Sequence, residues 1–326
     1  MFSIRSCQRV LSLTVLAAVI VAAPTLAADT GKKIKVLTTV APVTNIVRNV
    51  AGSNVELHGL IPEGSDSHTF EPVPSDVKYI AQADLIIVNG LHLETPTMHL
   101  TEANKKKSAM VVRLADQTIS RKEWVFDFSF PEDKGDPNPH LWLNVAHAMK
   151  YAELVREALV KVDSANTAAY DANTAAYLAK LKQLDEAILA TMKTIPERNR
   201  KLVTYHDSWA YFCPRYGCKV IGAVQPSDFA QPTPQDMVAL IKQLKAEAVP
   251  AIFGSEVFPS KVLDQIGREA GVRFIDTLRD DDLPGELDSP EHTYVGMMKE
   301  NVETMARVLG GDSSLMKNID PANVGR

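Results

Sequence analysis

Ile34-Lys-Val-Leu-Thr-Thr-Val40 is a short run rich in β-branched residues, and Pro42 then opens a helical stretch through Ile46 and Val50. The two segments read as a strand followed by a helix. Further along, Val55 to Ile61 is a second strand and Ser75 to Ala83 a helix. Asp84-Leu-Ile-Ile-Val-Asn89 is a third strand ending at Gly90, and Met110 to Leu114 is a fourth. Strands alternating with helical patterns predict a parallel sheet covered by helices.

The alternation restarts in the second half. Lys201 to Tyr205, Cys218 to Val224, Val249 to Phe253 and Val272 to Ile275 read as strands. Helices are expected from Thr233 to Glu247, with Thr233 as cap and Pro234 at the first helical position, from Ser260 to Ala270, and from Thr293 to Leu309. Between the halves, Tyr170, Tyr177, Leu181, Leu184, Ile188 and Met192 recur at helical spacing within Ser164 to Lys193. Ser164 or Asn166 can cap this helix, and no glycine or proline interrupts it before Pro196. Such a helix is a stiff strut. The chain therefore divides into a leader (1–27), an N-terminal α/β lobe (28–163), a linking helix (164–195) and a C-terminal α/β lobe (196–326).

Composition narrows the function. Across 326 residues, 35 Lys and Arg face 40 Asp and Glu, for a formal charge of −5, which disfavours nucleic acid as a partner. Met1 to Ala27 reads as a secretory signal: Arg5 and Arg9 precede the apolar run Val10 to Ala23, and Thr25-Leu-Ala27 supplies a small-residue cleavage site. The run is short for a bilayer span, no cysteine follows it closely for a lipid anchor, and no later segment is apolar for long enough to cross a membrane. The expectation is a soluble, monomeric protein of the periplasm. Cleavage leaves Cys213 and Cys218, an even pair that suggests a disulfide in an oxidising compartment.

Among eight histidines, three have suggestive contexts. His68 lies in Gly64-Ser-Asp-Ser-His-Thr-Phe-Glu-Pro72, His140 in Asn138-Pro-His-Leu-Trp142, and His206 directly follows a strand. Asp276 ends the strand that begins at Val272. Ligands in open α/β folds sit beyond the carboxyl ends of strands, so four donors from two lobes would meet in the cleft between them. Three imidazoles and a carboxylate suit zinc; manganese prefers more oxygen. Taken singly, each histidine also reads as an ordinary polar loop residue. Glu256, Asp66 and Asp207 stand where they could orient a ligand. Trp142 could close the site or simply fill the core. The acidic run Asp280-Asp-Asp282 reads as a solvated loop, and His58, His92, His99, His147 and His292 as structural, surface or packing residues.

The surrounding segments carry a resemblance. Asp66-Ser-His-Thr-Phe-Glu-Pro72, Asn89-Gly-Leu-His-Leu-Glu94, Asn138-Pro-His-Leu-Trp142, His206-Asp-Ser-Trp-Ala-Tyr-Phe212, Phe274-Ile-Asp-Thr-Leu278 and Tyr294-Val-Gly-Met-Met298 with Asn301 are similar to motifs of the cluster A-I solute-binding proteins of zinc and manganese ABC importers. The resemblance spans nearly the whole mature chain. It implies two Rossmann-like lobes with parallel sheets, joined by a long rigid helix, with metal between them. It implies the ligand set His68, His140, His206 and Asp276, and an ABC permease as partner, with a periplasmic metallochaperone possible. His206 stands where manganese-selective relatives often have Glu, which favours Zn2+ over Mn2+. Thr118 to Asn138 contains no histidine, so the His-rich loop of some zinc relatives is absent. A zinc hydrolase is the competing class, but four protein ligands leave no open coordination position and no His-Glu-x-x-His segment exists. The reading is a binding protein without enzymatic activity.

Overall fold

The computed structural model describes residues 32–225, 232–255, 257 and 261–324; the expected leader and Glu256 lie outside them. The first half folds as β1 (Ile34–Thr38), α1 (Ala41–Ala51), β2 (Val55–Gly59), α2 (Asp76–Gln82), β3 (Leu85–Val88), α3 (Thr95–Asn104), β4 (Met110–Arg113) and α4 (Leu114–Thr118). Its four strands are all parallel, in the order β2-β1-β3-β4. All four residues of β3 are buried, as expected of a parallel strand covered on both faces. Pro42 sits in the first turn of α1, and Val43, Ile46, Val47 and Val50 form the buried stripe of that helix.

After two long helices, α5 (Val145–Val162) and α6 (Thr167–Thr194), the second half repeats the plan: β5 (Lys201–Thr204), α7 (Phe212–Tyr216), β6 (Lys219–Ala223), α8 (Pro234–Ala246), β7 (Ala251–Ser255), α9 (Lys261–Ala270), β8 (Arg273–Leu278) and α10 (Tyr294–Leu309). Its strands are again parallel, in the order β6-β5-β7-β8. Each sheet thus reverses its winding beside its first strand, the position at which open α/β sheets place ligands.

The linking helix α6 has 28 residues and is about 42 Å long. It begins later than expected, behind a 3-10 turn at Ser164–Asn166, and neither Ser164 nor Asn166 caps it with a side chain. Asn166 Nδ2 instead donates to Asp163 Oδ2, which also accepts the Tyr170 hydroxyl. The expected apolar stripe is buried from Tyr170 to Met192. Truncating a member such as Leu184 to Ala costs about 2–5 kcal/mol by the usual cavity arithmetic. Buried Asp185, in the middle of this helix, pairs with the Arg215 guanidinium and accepts Tyr216 Oη at 2.6 Å. Tyr216 Oη in turn accepts the Val145 N–H, so one hydroxyl joins α5, α6 and α7. The disulfide Cys213–Cys218 closes the far end of α7, with Cα atoms 4.5 Å apart.

The two halves share polar seams as well as apolar ones. Asn45 Oδ1 accepts the Tyr294 N–H at the start of α10, and Tyr294 Oη donates to the Trp142 carbonyl. Asn45 and Asn49 of α1 both donate to Asn323 Oδ1, and Asn49 Oδ1 accepts the Val324 N–H. The C-terminal residues therefore complete the first helix of the N-terminal lobe. No helix among the described residues is long and apolar enough to cross a membrane.

Candidate metal centre

The loop after β2 carries His68. Asp66 shapes it as a turn: Oδ1 accepts the His68 N–H at 2.9 Å and Oδ2 the Thr69 hydroxyl at 3.0 Å. The loop also docks on the C-terminal half. Gly64 N donates to Asp282 Oδ2 and Ser67 Oγ to Asp281 Oδ2, each at 2.7 Å, and Glu63 meets His292 at 3.1 Å. The acidic run Asp280–Asp282 is therefore buried, against the expectation of a solvated loop. Its carboxylates do not face one another in water; each finds a separate donor, because Ser255 Oγ donates to Asp280 Oδ1 at 3.0 Å.

His140 is fully buried after Pro139. Asn138 Oδ1 accepts both its backbone N–H and its ring Nδ1 at 2.9 Å. Asn138 Nδ2 donates to the Asp127 carboxylate at 2.7 Å and the Asp207 carbonyl at 2.6 Å. Because Oδ1 already serves as an acceptor, the His140 proton belongs on Nδ1 and Nε2 is left bare for a ligand role. His206 follows β5, where Thr204 Oγ1 donates to its carbonyl at 2.6 Å.

The three rings converge. His140 Nε2 lies 3.2 Å from His68 Nε2 and 3.3 Å from His206 Nε2. These three are the group among the described residues whose donor atoms could hold one ion. Burial holds the His68 ring down to about pKa 3. Burial, and then repulsion from the other two rings, holds His140 well below the ordinary range. His206 is also well below it, through burial first and then His68. All three are neutral at pH 7, which is the form that binds metal.

The sequence reading did not single out Phe130. Its ring lies 5.5, 5.8 and 5.6 Å from the centres of the His68, His140 and His206 rings and walls the group with apolar surface. Asp127 Oδ1 positions it by accepting the Ser129 and Phe130 N–H groups at 3.0 Å. The alternation of polar and aromatic residues from Asp127 to Phe130 is the one local signal, and it reads equally well as a strand.

Of the other expected residues, Trp142 is wholly buried with its ring 5.1 Å from His140, and its Nε1 donates to the Asp280 carbonyl at 2.8 Å. It is both wall and core. Asp207 reaches His140 through its backbone carbonyl and Asn138; its own carboxyl is raised by burial and then by the charge of Asp127. Asp276 is exposed on β8 and is not among the converged donors. His58 stacks on Tyr79 with centroids 3.8 Å apart, and His147 packs edge-on to Tyr211 at 5.7 Å.

The chain is similar to known metal-transport binding proteins. The family model of the periplasmic zinc-uptake complex component A, ZnuA, matches residues 36–308. The metal ABC transporter substrate-binding lipoprotein FimA of Streptococcus parasanguinis is 30% identical, over 85% of this chain and 89% of its own. The iron-binding protein YfeA of Yersinia pestis is 30% identical, over 86% and 88%. The solved periplasmic zinc-binding protein TroA of Treponema pallidum superposes with a TM-score of 0.78 at 30% identity, covering 85% of this chain and 99% of TroA.

Proposed function

The chain belongs to the ZnuA family of periplasmic zinc-uptake components, and from that premise we propose that it is a periplasmic zinc-binding protein that hands its ion to an ABC-type import permease. Members of the family are substrate-binding components of transporters and not enzymes. In this reading the permease unloads the ion when it docks on the two lobes.

One observation carries the choice of zinc. Donors on a tetrahedron with zinc–nitrogen bonds of about 2.0–2.1 Å stand roughly 3.3–3.4 Å apart. The His140 Nε2 atom stands 3.2 and 3.3 Å from its two neighbours, close to that spacing, and all three donors lie within 4.8 Å of one another. The ion exchanges its water shell for three neutral imidazoles and one carboxylate. For that carboxylate we propose Asp281 in place of Asp276. Asp281 is buried and bonded to the residue beside His68, whereas Asp276 faces solvent. Phe130 and Trp142 keep water from competing.

The second reading is manganese, the metal named for the Streptococcus pneumoniae relative PsaA. Elemental analysis of protein purified without chelators, followed by competition between zinc and manganese, separates the two. Recovery of manganese and no zinc would overturn the first reading.

A further inference from the structure

The turn after β3 holds an unusual backbone. Leu91 and His92 both have left-handed φ angles, +48° and +65°, directly after Gly90 at +91°. Two successive non-glycine residues in this region cost free energy and persist only where their surroundings impose them. Here the surroundings are specific. The buried Glu94 carboxylate accepts the Asn89 and Gly90 N–H groups at 2.8 and 3.1 Å, and Asp116 Oδ2 accepts the Leu91 N–H at 3.0 Å. A side chain at Gly90 would strike Asp116 Oδ2, since a Cβ there would lie 2.0 Å from it. The turn is also moored to the His140 loop, because Asn89 Nδ2 donates to the Pro139 carbonyl at 2.9 Å.

This backbone presents His92 at the mouth of the metal centre. His92 and Asp136 line one cavity of about 120 Å³ together with His68, Phe130 and Lys134. His92 Nε2 lies 3.7 Å from Asp136 Oδ1, and both side chains are more than half exposed, at 58% and 57%. An imidazole and a carboxylate this close, open to water on one side and to a metal-centre histidine on the other, are suited to hold a partly hydrated divalent cation. We propose that His92 and Asp136 form an outer cation site through which the ion passes on its way to and from His68. The inference rests on the reading of the three-histidine group as a metal centre. Two protein donors leave most of the water shell in place, and the Lys134 cation on the same cavity weakens the hold further. Weak binding suits a transit point: a tight outer site would compete with the inner one.

A transit site changes rates and leaves the inner equilibrium alone. The test uses the full chain, with zinc ions as the probe, in equilibrium titration and stopped-flow mixing. The variants are Asp136→Asn and His92→Asn, the latter because Asn tolerates left-handed backbone. Wild type should bind one tight zinc and one weaker zinc. Each variant should lose the weaker ion. Each should also slow association and dissociation together, by about tenfold at low salt, with the tight Kd unchanged. Both variants keeping the weaker ion and wild-type rates would overturn the outer site. A wild type without a tight ion would instead sink the reading of the inner centre, and the dependence of the weak ion on His92 would still decide the outer one.

Discussion

Ser67 Oγ donates to Asp281 Oδ2 across 2.7 Å, joining the neighbour of His68 to a carboxylate 214 positions further along the chain. The contact draws the acidic run of one lobe onto the histidine loop of the other.

Asp281→Ala should therefore lower zinc affinity by more than about 100-fold, beyond the 10- to 100-fold usual for a group that only orients a ligand. Asp276→Ala should change it little. Chelator competition reads both, and the reverse order of effects would return the fourth donor to Asp276.

Asn138→Ala removes the acceptor that fixes the His140 proton on Nδ1. Zinc affinity should fall roughly 10- to 100-fold, with all three histidines still in place. An unchanged dissociation constant would mean that His140 needs no such partner.

In zinc–manganese competition, wild type should prefer zinc, because imidazole suits zinc and manganese stands low in the affinity order of divalent ions. His206→Glu should narrow the gap by exchanging nitrogen for oxygen. A preference left unmoved by this change would remove His206 from the ligands.

Burial keeps the three converged rings neutral in the native chain, with His68 held down to about 3, while in the unfolded chain they take up protons near the ordinary value of about 6.5. The unfolded state then binds more protons below that value, so metal-free stability is full above it and is lost as pH falls toward the native values. Denaturant midpoints should drop between pH 7 and pH 5. They should drop less in a variant with all three rings replaced by Asn. Zinc affinity of the native chain should hold below about pH 6.5, where ordinary histidines become mostly protonated and lose it progressively.

Reducing the Cys213–Cys218 bridge should leave zinc binding intact, since neither sulfur lies among the converged donors. In the chain-entropy model so small a loop adds about 2 kcal/mol at most. A loss of binding on reduction, with the fold retained by circular dichroism, would contradict this.

The fold was legible in the sequence wherever periodicity is local. The strands, the helix from Pro234 and the α6 stripe all announce themselves through spacing and caps. So do the three histidines, through the segments around them. What stayed hidden depends on contacts between distant parts of the chain. Asp280–Asp282 reads as solvated because adjacent like charges repel, yet three donors, one from each of Gly64, Ser67 and Ser255, accommodate the three carboxylates separately. The mooring of His92 likewise rests on partners many residues away, Asp116 and Pro139, whereas the turn at Phe130 is made locally by Asp127 but meets the three rings only in the fold.

The bonds from Asn45 and Asn49 to Asn323 and Val324 carry a consequence for biosynthesis. A chain made from its N-terminus delivers α1 early and these polar partners about 275 residues later. The first lobe reaches its final form only once Asn323 and Val324 have emerged. Earlier still, until Asp281 and Asp282 have emerged, the segment that ends at His68 lacks the two carboxylates that hold it, so a nascent chain has no assembled cage in which to trap metal.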